Sequence, residues 1–222
     1  MIFGDDLKPA ETAAPAEWLE RACRGDWWTV GALVPNRYDA FLRVYAPAAE
    51  ADEWWRSYRA LFEVIASIGE RHTSSPHSAW FAVWEGHGFK ETETRIAWRD
   101  LPMGERERRA RDAERERLRD GDRRRNAGIG SLLNQIPRFE RPGRTYYLLT
   151  GPVAAAGKLR YPDSDEWRNP DLFWPDDQRW FVATDVDFWS LYVGGSNGFI
   201  AELGGTLSTH AEPIGLDAPL EI

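Results

Sequence analysis

Cysteine and lysine are scarce in this 222-residue chain, and long apolar runs are absent. The single cysteine, Cys23, excludes an internal disulfide and a metal site built from several thiolates. No run of about 18 apolar residues occurs, so no membrane-spanning helix is expected. The N-terminal residues lack the basic start and apolar stretch of a secretory signal, and the expectation is a soluble, cytoplasmic protein. An excess of positive charge is missing as well. Lys and Arg number 28 against 36 Asp and Glu, a net charge of -8, which argues against a nucleic-acid partner needing a positive surface. Lysine is confined to Lys8, Lys90 and Lys158; arginine fills the other basic positions, a bias expected of a GC-rich genome.

Apolar and aromatic residues are plentiful, at 42% and 13%, so the chain has the material for a sizeable core. Twelve tryptophans, among them the doublets Trp27-Trp28 and Trp54-Trp55, each bring a large apolar surface and one N–H in need of a partner.

A short helix is expected over 15–24, with Pro15 in its first turn and Gly25 as its stop. Residues 27–34 are apolar and partly β-branched and read as a buried strand; a second strand is expected within 37–45. Residues 51–69 form the clearest helix, since Trp54, Tyr58, Leu61, Phe62, Ile65 and Ile68 share one face and Gly69 ends it. In 78–85 both alternating sets are apolar, as in a strand covered on both faces. Strands are also expected at 145–150 and 180–186, a Pro- and Asp-rich loop at 161–177, a short helix at 199–203, and an edge strand within 206–222. Residues 105–125 stand apart. Ten arginines and seven acids leave only Ala110, Ala113 and Leu118 as apolar side chains, too few for a buried face, so a solvated helical or flexible insertion is expected. Strands without regular β-α-β alternation predict a single α+β domain over 1–222. Its expected form is a two-layer sandwich with a mixed, mostly antiparallel sheet and a few helices.

Residues 143–153 (GRTYYLLTGPV), 172–187 (LFWPDDQRWFVATDVD) and 192–196 (YVGGS) resemble a set of uncharacterised actinobacterial proteins, to which no activity is attached. The resemblance implies one domain covering most of the chain outside the arginine-rich insertion. Residues 33–42 (LVPNRYDAFL) are similar to the Leu-Pro-x-x-Tyr opening of a superfamily of toxin-immunity proteins. The Asn-Gly-Gly of that superfamily is replaced here by Tyr45-Ala46-Pro47.

Several constellations bear on chemistry. Gly194-x-Ser196-x-Gly198 matches a nucleophile elbow, with His210 as a base and Asp217 as its orienter; the competing reading is a turn in which Ser196 caps a helix. Asp185 and Asp187, two apart at a strand end, share a face and with Asp176 and Asp177 form a candidate Mg²⁺ set, against the reading of solvated or capping aspartates. His72, His77 and His87 have no standard zinc spacing and read as loop histidines, and Cys23 as a packed thiol. Trp55, off the apolar stripe that Trp54 begins, and Trp189, in a loop after Asp187, are the candidates for a binding platform, with Asp185 beside them. The expectation is a non-catalytic protein-interaction domain, immunity- or accessory-like, with a protein partner and no cofactor. The alternative is an enzyme, a hydrolase or Mg-dependent, with a site around Asp185, Asp187 and Ser196.

Overall fold

A computed structural model describes residues 3–4, 6–23, 28–45, 54–86, 112, 116, 133–160, 167–185, 187–188 and 190–221, without the side chains of 54–57. Its frame is one sheet of nine strands: β1 (Lys8–Pro9), β2 (Ala40–Tyr45), β3 (Ala79–Trp84), β4 (Arg138–Arg141), β5 (Arg144–Gly151), β6 (Leu172–Pro175), β7 (Trp180–Ala183), β8 (Ser190–Gly195) and β9 (Ala211–Ile214). The order is β1-β5-β3-β6-β7-β8-β2-β9, with β4 beside β1 on the same edge of β5. Every described strand pairing is antiparallel. The fold is α+β, as the sequence predicts.

Side chains alternate across the sheet, and both faces are apolar. Phe81, Phe173, Trp180 and Val193 face the two long helices, α3 (Trp54–Arg71) and α4 (Asn197–Leu207). The α3 stripe is as expected: Tyr58, Leu61, Phe62, Ile65 and Ile68 are all buried. The helix runs past Gly69 to Arg71, so that glycine is not its stop. Trp174, Phe181, Tyr146 and Tyr192 face the other way, under a thinner layer. That layer comprises α1 (Trp18–Ala22), α2 (Val30–Leu33) and the C-terminal segment with Leu216 and Leu220.

The strand expected over 27–34 is a correction. Val30–Leu33 is a turn of helix, because the C-terminal segment takes its first amides: Val30 N–H donates to Ala218 O at 3.0 Å and Gly31 N–H to Leu216 O at 2.8 Å. Helix-start amides need outside acceptors, and a long-range segment supplies them here against the local β propensity. Four strands were not expected. β6 lies inside the Pro- and Asp-rich segment, β4 is a polar edge strand, β1 is a two-residue strand beside it on β5, and β8 takes up the apolar stretch that ends in Gly194-Gly195. Of the insertion 105–125 only Asp112 and Glu116 are described, both helical and exposed; the rest lies outside the described residues.

Candidate functional site

The β4–β5 hairpin turns through Pro142 and Gly143, whose φ of +73° is the left-handed value that a turn with proline before it requires and glycine supplies. The turn sets Arg141 opposite Arg144 in register. Like charges so placed repel, and each arginine has its own acceptors. Arg141 donates from Nη1 to Leu33 O (3.1 Å) and from Nη2 to Ala32 O (2.7 Å), capping the last carbonyls of α2. Arg144 donates from Nε to Asp185 Oδ2 (2.9 Å) and from Nη2 to Asp185 Oδ1 (2.8 Å) and Asp187 Oδ2 (2.9 Å). Its guanidinium carbon also lies 4.2 Å from the centre of the Trp84 ring. The Asp185 hydrogen bond leads the effects that raise the Arg144 pKa, so the cation is fixed.

Asp185 and Asp187 do not share a strand face. β7 ends at Ala183, and the aspartates follow in a turn where Asp185 Oδ1 accepts from Asp187 N–H at 3.2 Å. Both carboxylates converge on Arg144. Among the described residues no three His, Cys, Asp or Glu side chains are grouped to hold a metal ion. The arrangement is an arginine clasp.

Beside the clasp opens a cleft of about 230 Å³. Tyr146 and Leu33 are buried in its lining, Asp185 and Arg144 form a polar wall, and Phe188 and Leu220 close other sides. Burial pushes the Tyr146 phenol up, so it stays neutral. On the lining stands Trp28, 57% exposed, the one exposed large hydrophobic among the described residues. A second, shallower groove of about 600 Å³ between α4 and β9 is walled by Phe41, Ile200, Gly204 and Ile214 and gathers no charged cluster.

The other expected site residues lie elsewhere. Ser196 is the N-cap of α4, its Oγ accepting from Phe199 N–H at 3.3 Å. It stands at the far end of β8 from Ser190, which puts about 17 Å of strand between it and the Asp185 turn. His210 follows the other end of α4, about 16 Å of helix away, and is exposed, as is Asp217. Ser196, His210 and the aspartates therefore form no catalytic constellation. Asp176 accepts from Trp80 Nε1 (2.9 Å), and Asp177 accepts from Ser74 N (2.6 Å) and Oγ (2.8 Å), so both tie loops together. His72 Nε2 lies 2.7 Å from Glu202 Oε2, joining α3 to α4; His77 is exposed, and His87 is outside the described residues. Cys23 points its thiol at Leu33 O (3.7 Å), and burial pushes its pKa up, as for a packed thiol. Trp55 sits on α3 but its side chain is outside the described residues, as is Trp189.

Sequence reasoning missed Trp28, Arg141, Arg144 and Tyr146. The signal for the arginines was present in Arg141-Pro142-Gly143-Arg144, a tight turn with a charge on each shoulder. Trp28 was hidden by its apolar neighbours, which suggested burial. No protein-family model, curated protein or solved structure matches the chain. Among the described residues no helix is long and apolar enough to cross a membrane.

Proposed function

We propose that the chain is a non-catalytic, cytoplasmic protein-interaction domain, immunity- or accessory-like, whose contact centres on the Trp28 cleft. The observation that carries this reading is Trp28 itself, held open on a cleft beside two arginines, the residue types that dominate interface energetics. Cleft size supports it. At about 230 Å³ the cleft is below the ~300–1,000 Å³ of small-molecule sites and suits a single inserted side chain. Its chemistry supports it too: Arg144 and Asp185 are paired with each other and Tyr146 is a neutral phenol, so none of these three stands ready as base or nucleophile. Kinship with the actinobacterial proteins of the YYLLTGPV pattern belongs to the same proposal.

The test is a tagged pull-down at low and moderate salt with wild type, Trp28→Ala and Ser196→Ala. The expected result is one stoichiometric protein retained by wild type and Ser196→Ala and lost by Trp28→Ala. Retention by Trp28→Ala, or turnover of a substrate that Ser196→Ala abolishes while folding normally, overturns the reading.

A further inference from the structure

We infer that the cleft receives an arginine side chain of a basic partner protein, its guanidinium stacked on Trp28 and hydrogen-bonded to Asp187; this rests on the interaction reading above. The donors and acceptors in the cleft are unequally used. Arg141 gives Nη1 and Nη2 to backbone carbonyls, and Arg144 gives Nε and Nη2 to carboxylates, so the lining cations are largely committed. Acceptors remain. The Asp187 side chain is 64% exposed; its Oδ2 is bonded to Arg144, and its Oδ1 has no partner among the described residues. Tyr146, whose hydroxyl also has no partner among the described residues, lines the same cleft. A carboxylate with a free oxygen and an exposed indole on one cleft recognise a planar cation that can donate and stack at once.

The chain already builds this arrangement internally, where Arg144 stacks on Trp84 while donating to Asp185 and Asp187. The long-range field agrees: the chain carries -8 overall, and residues 105–125 hold ten arginines to seven acids, leaving -11 on the remainder. That charge draws a basic protein toward the chain as a whole, while within the cleft Arg141 and Arg144 balance Asp185 and Asp187 and leave the free Asp187 oxygen to select the cation.

The probe is N-acetyl-arginine methylamide, with the uncharged N-acetyl-citrulline methylamide as its isostere. Both are titrated into the ¹⁵N-labelled full chain, and the Trp28 indole N–H is assigned by its loss in Trp28→Phe. The arginine probe is expected to shift the Trp28 signal, and citrulline to bind about fivefold more weakly. Asp187→Asn, shown folded by thermal unfolding, is expected to weaken the arginine probe by a similar factor of about five. Equal binding of citrulline, or shifts that leave Trp28 untouched, overturns the arginine assignment. A protein captured through Trp28 whose binding ignores Asp187→Asn also overturns it, while leaving the interaction reading intact. A wild-type chain that neither captures a protein nor binds the arginine probe overturns the two together.

Discussion

Arg144 and Trp84 are stacked, the guanidinium carbon 4.2 Å from the ring centre, while the same arginine grips Asp185 with two hydrogen bonds. Planarity makes both contacts possible at once, because the face meets the indole as the edge meets the carboxylate. This residue fixes the wall of the cleft from β5, and it joins β5 to the turn after β7, two strands that are not neighbours in the sheet.

Arg144→Lys keeps the charge and loses the fork. Urea unfolding is expected to show a loss of about 1 kcal/mol for Arg144→Lys and about 2 kcal/mol for Arg144→Ala, which strands the largely buried Asp185 carboxylate. These figures are set low because the Arg144 side chain is 23% exposed and its ion pairs are partly screened. An Arg144→Lys variant as stable as wild type would show that charge alone holds the wall.

The C-terminal segment holds α2 in place and is itself held by Arg43. That arginine is only 6% exposed and donates from Nη1 to Glu212 (2.8 Å) and Glu221 (3.0 Å) and from Nη2 to Pro219 O (2.7 Å). Deleting residues 215–222 removes the acceptors of the Val30 and Gly31 amides. Hydrogen exchange is expected to accelerate at those two amides by more than tenfold, which is about 1.4 kcal/mol of lost protection. Val193, in the middle of the sheet, is expected to change less. Uniform acceleration across the sheet would mean that the segment supports the whole fold and not α2 locally.

The long helix and the alternation of β3 were legible because their patterns are local: a 3.6-residue stripe and a two-residue alternation. The helical α2 was not. Its residues favour a strand, and the carbonyls that make it helical come from Leu216 and Ala218, nearly two hundred positions away. β6 was hidden by Pro170 and Pro175, which bracket four buried residues in an otherwise polar segment. At the candidate site Asp185 and Asp187 were legible as residues of interest, but their role was not. What decides it is Arg144, brought to them by the strand order and not by any sequence neighbour.

Asp177 is expected to give a pH-dependent share of stability. Burial works to raise its pKa but is outweighed by donors from the Ser74 backbone and hydroxyl, Thr73 and the Arg179 amide, so the native carboxyl titrates below its ordinary range. A depressed native pKa stabilises above the unfolded value, near pH 4, and that contribution is lost as pH falls through the native value. Asp177→Asn should therefore be less stable at pH 7 by about 1 kcal/mol, with the gap closing below about pH 4. Urea midpoints at pH 7, 5 and 3 measure it. A gap independent of pH would place the effect in the loop geometry and not in the charge.

Gly69 illustrates how a residue can be read correctly as special and wrongly as to cause. It lies inside α3, and its carbonyl accepts from Trp180 Nε1 at 3.1 Å. A Cβ there would stand 2.6 Å from Trp180 Cζ2 and 2.8 Å from Cε2. The indole cannot retreat, since Trp180 is fully buried, stacked on Phe199 and edge-on to Phe173. In an exposed helix Gly→Ala gains about 1 kcal/mol, whereas overpacking a rigid core costs about 1–3 kcal/mol. Gly69→Ala is therefore expected to be destabilising in the wild-type background. Shrinking the obstacle should reverse the sign: in a Trp180→Phe background the same change should become neutral or stabilising, and a double-mutant cycle on urea midpoints isolates that coupling. A Gly69→Ala that stabilises the wild type outright would show that the glycine makes no room for the indole.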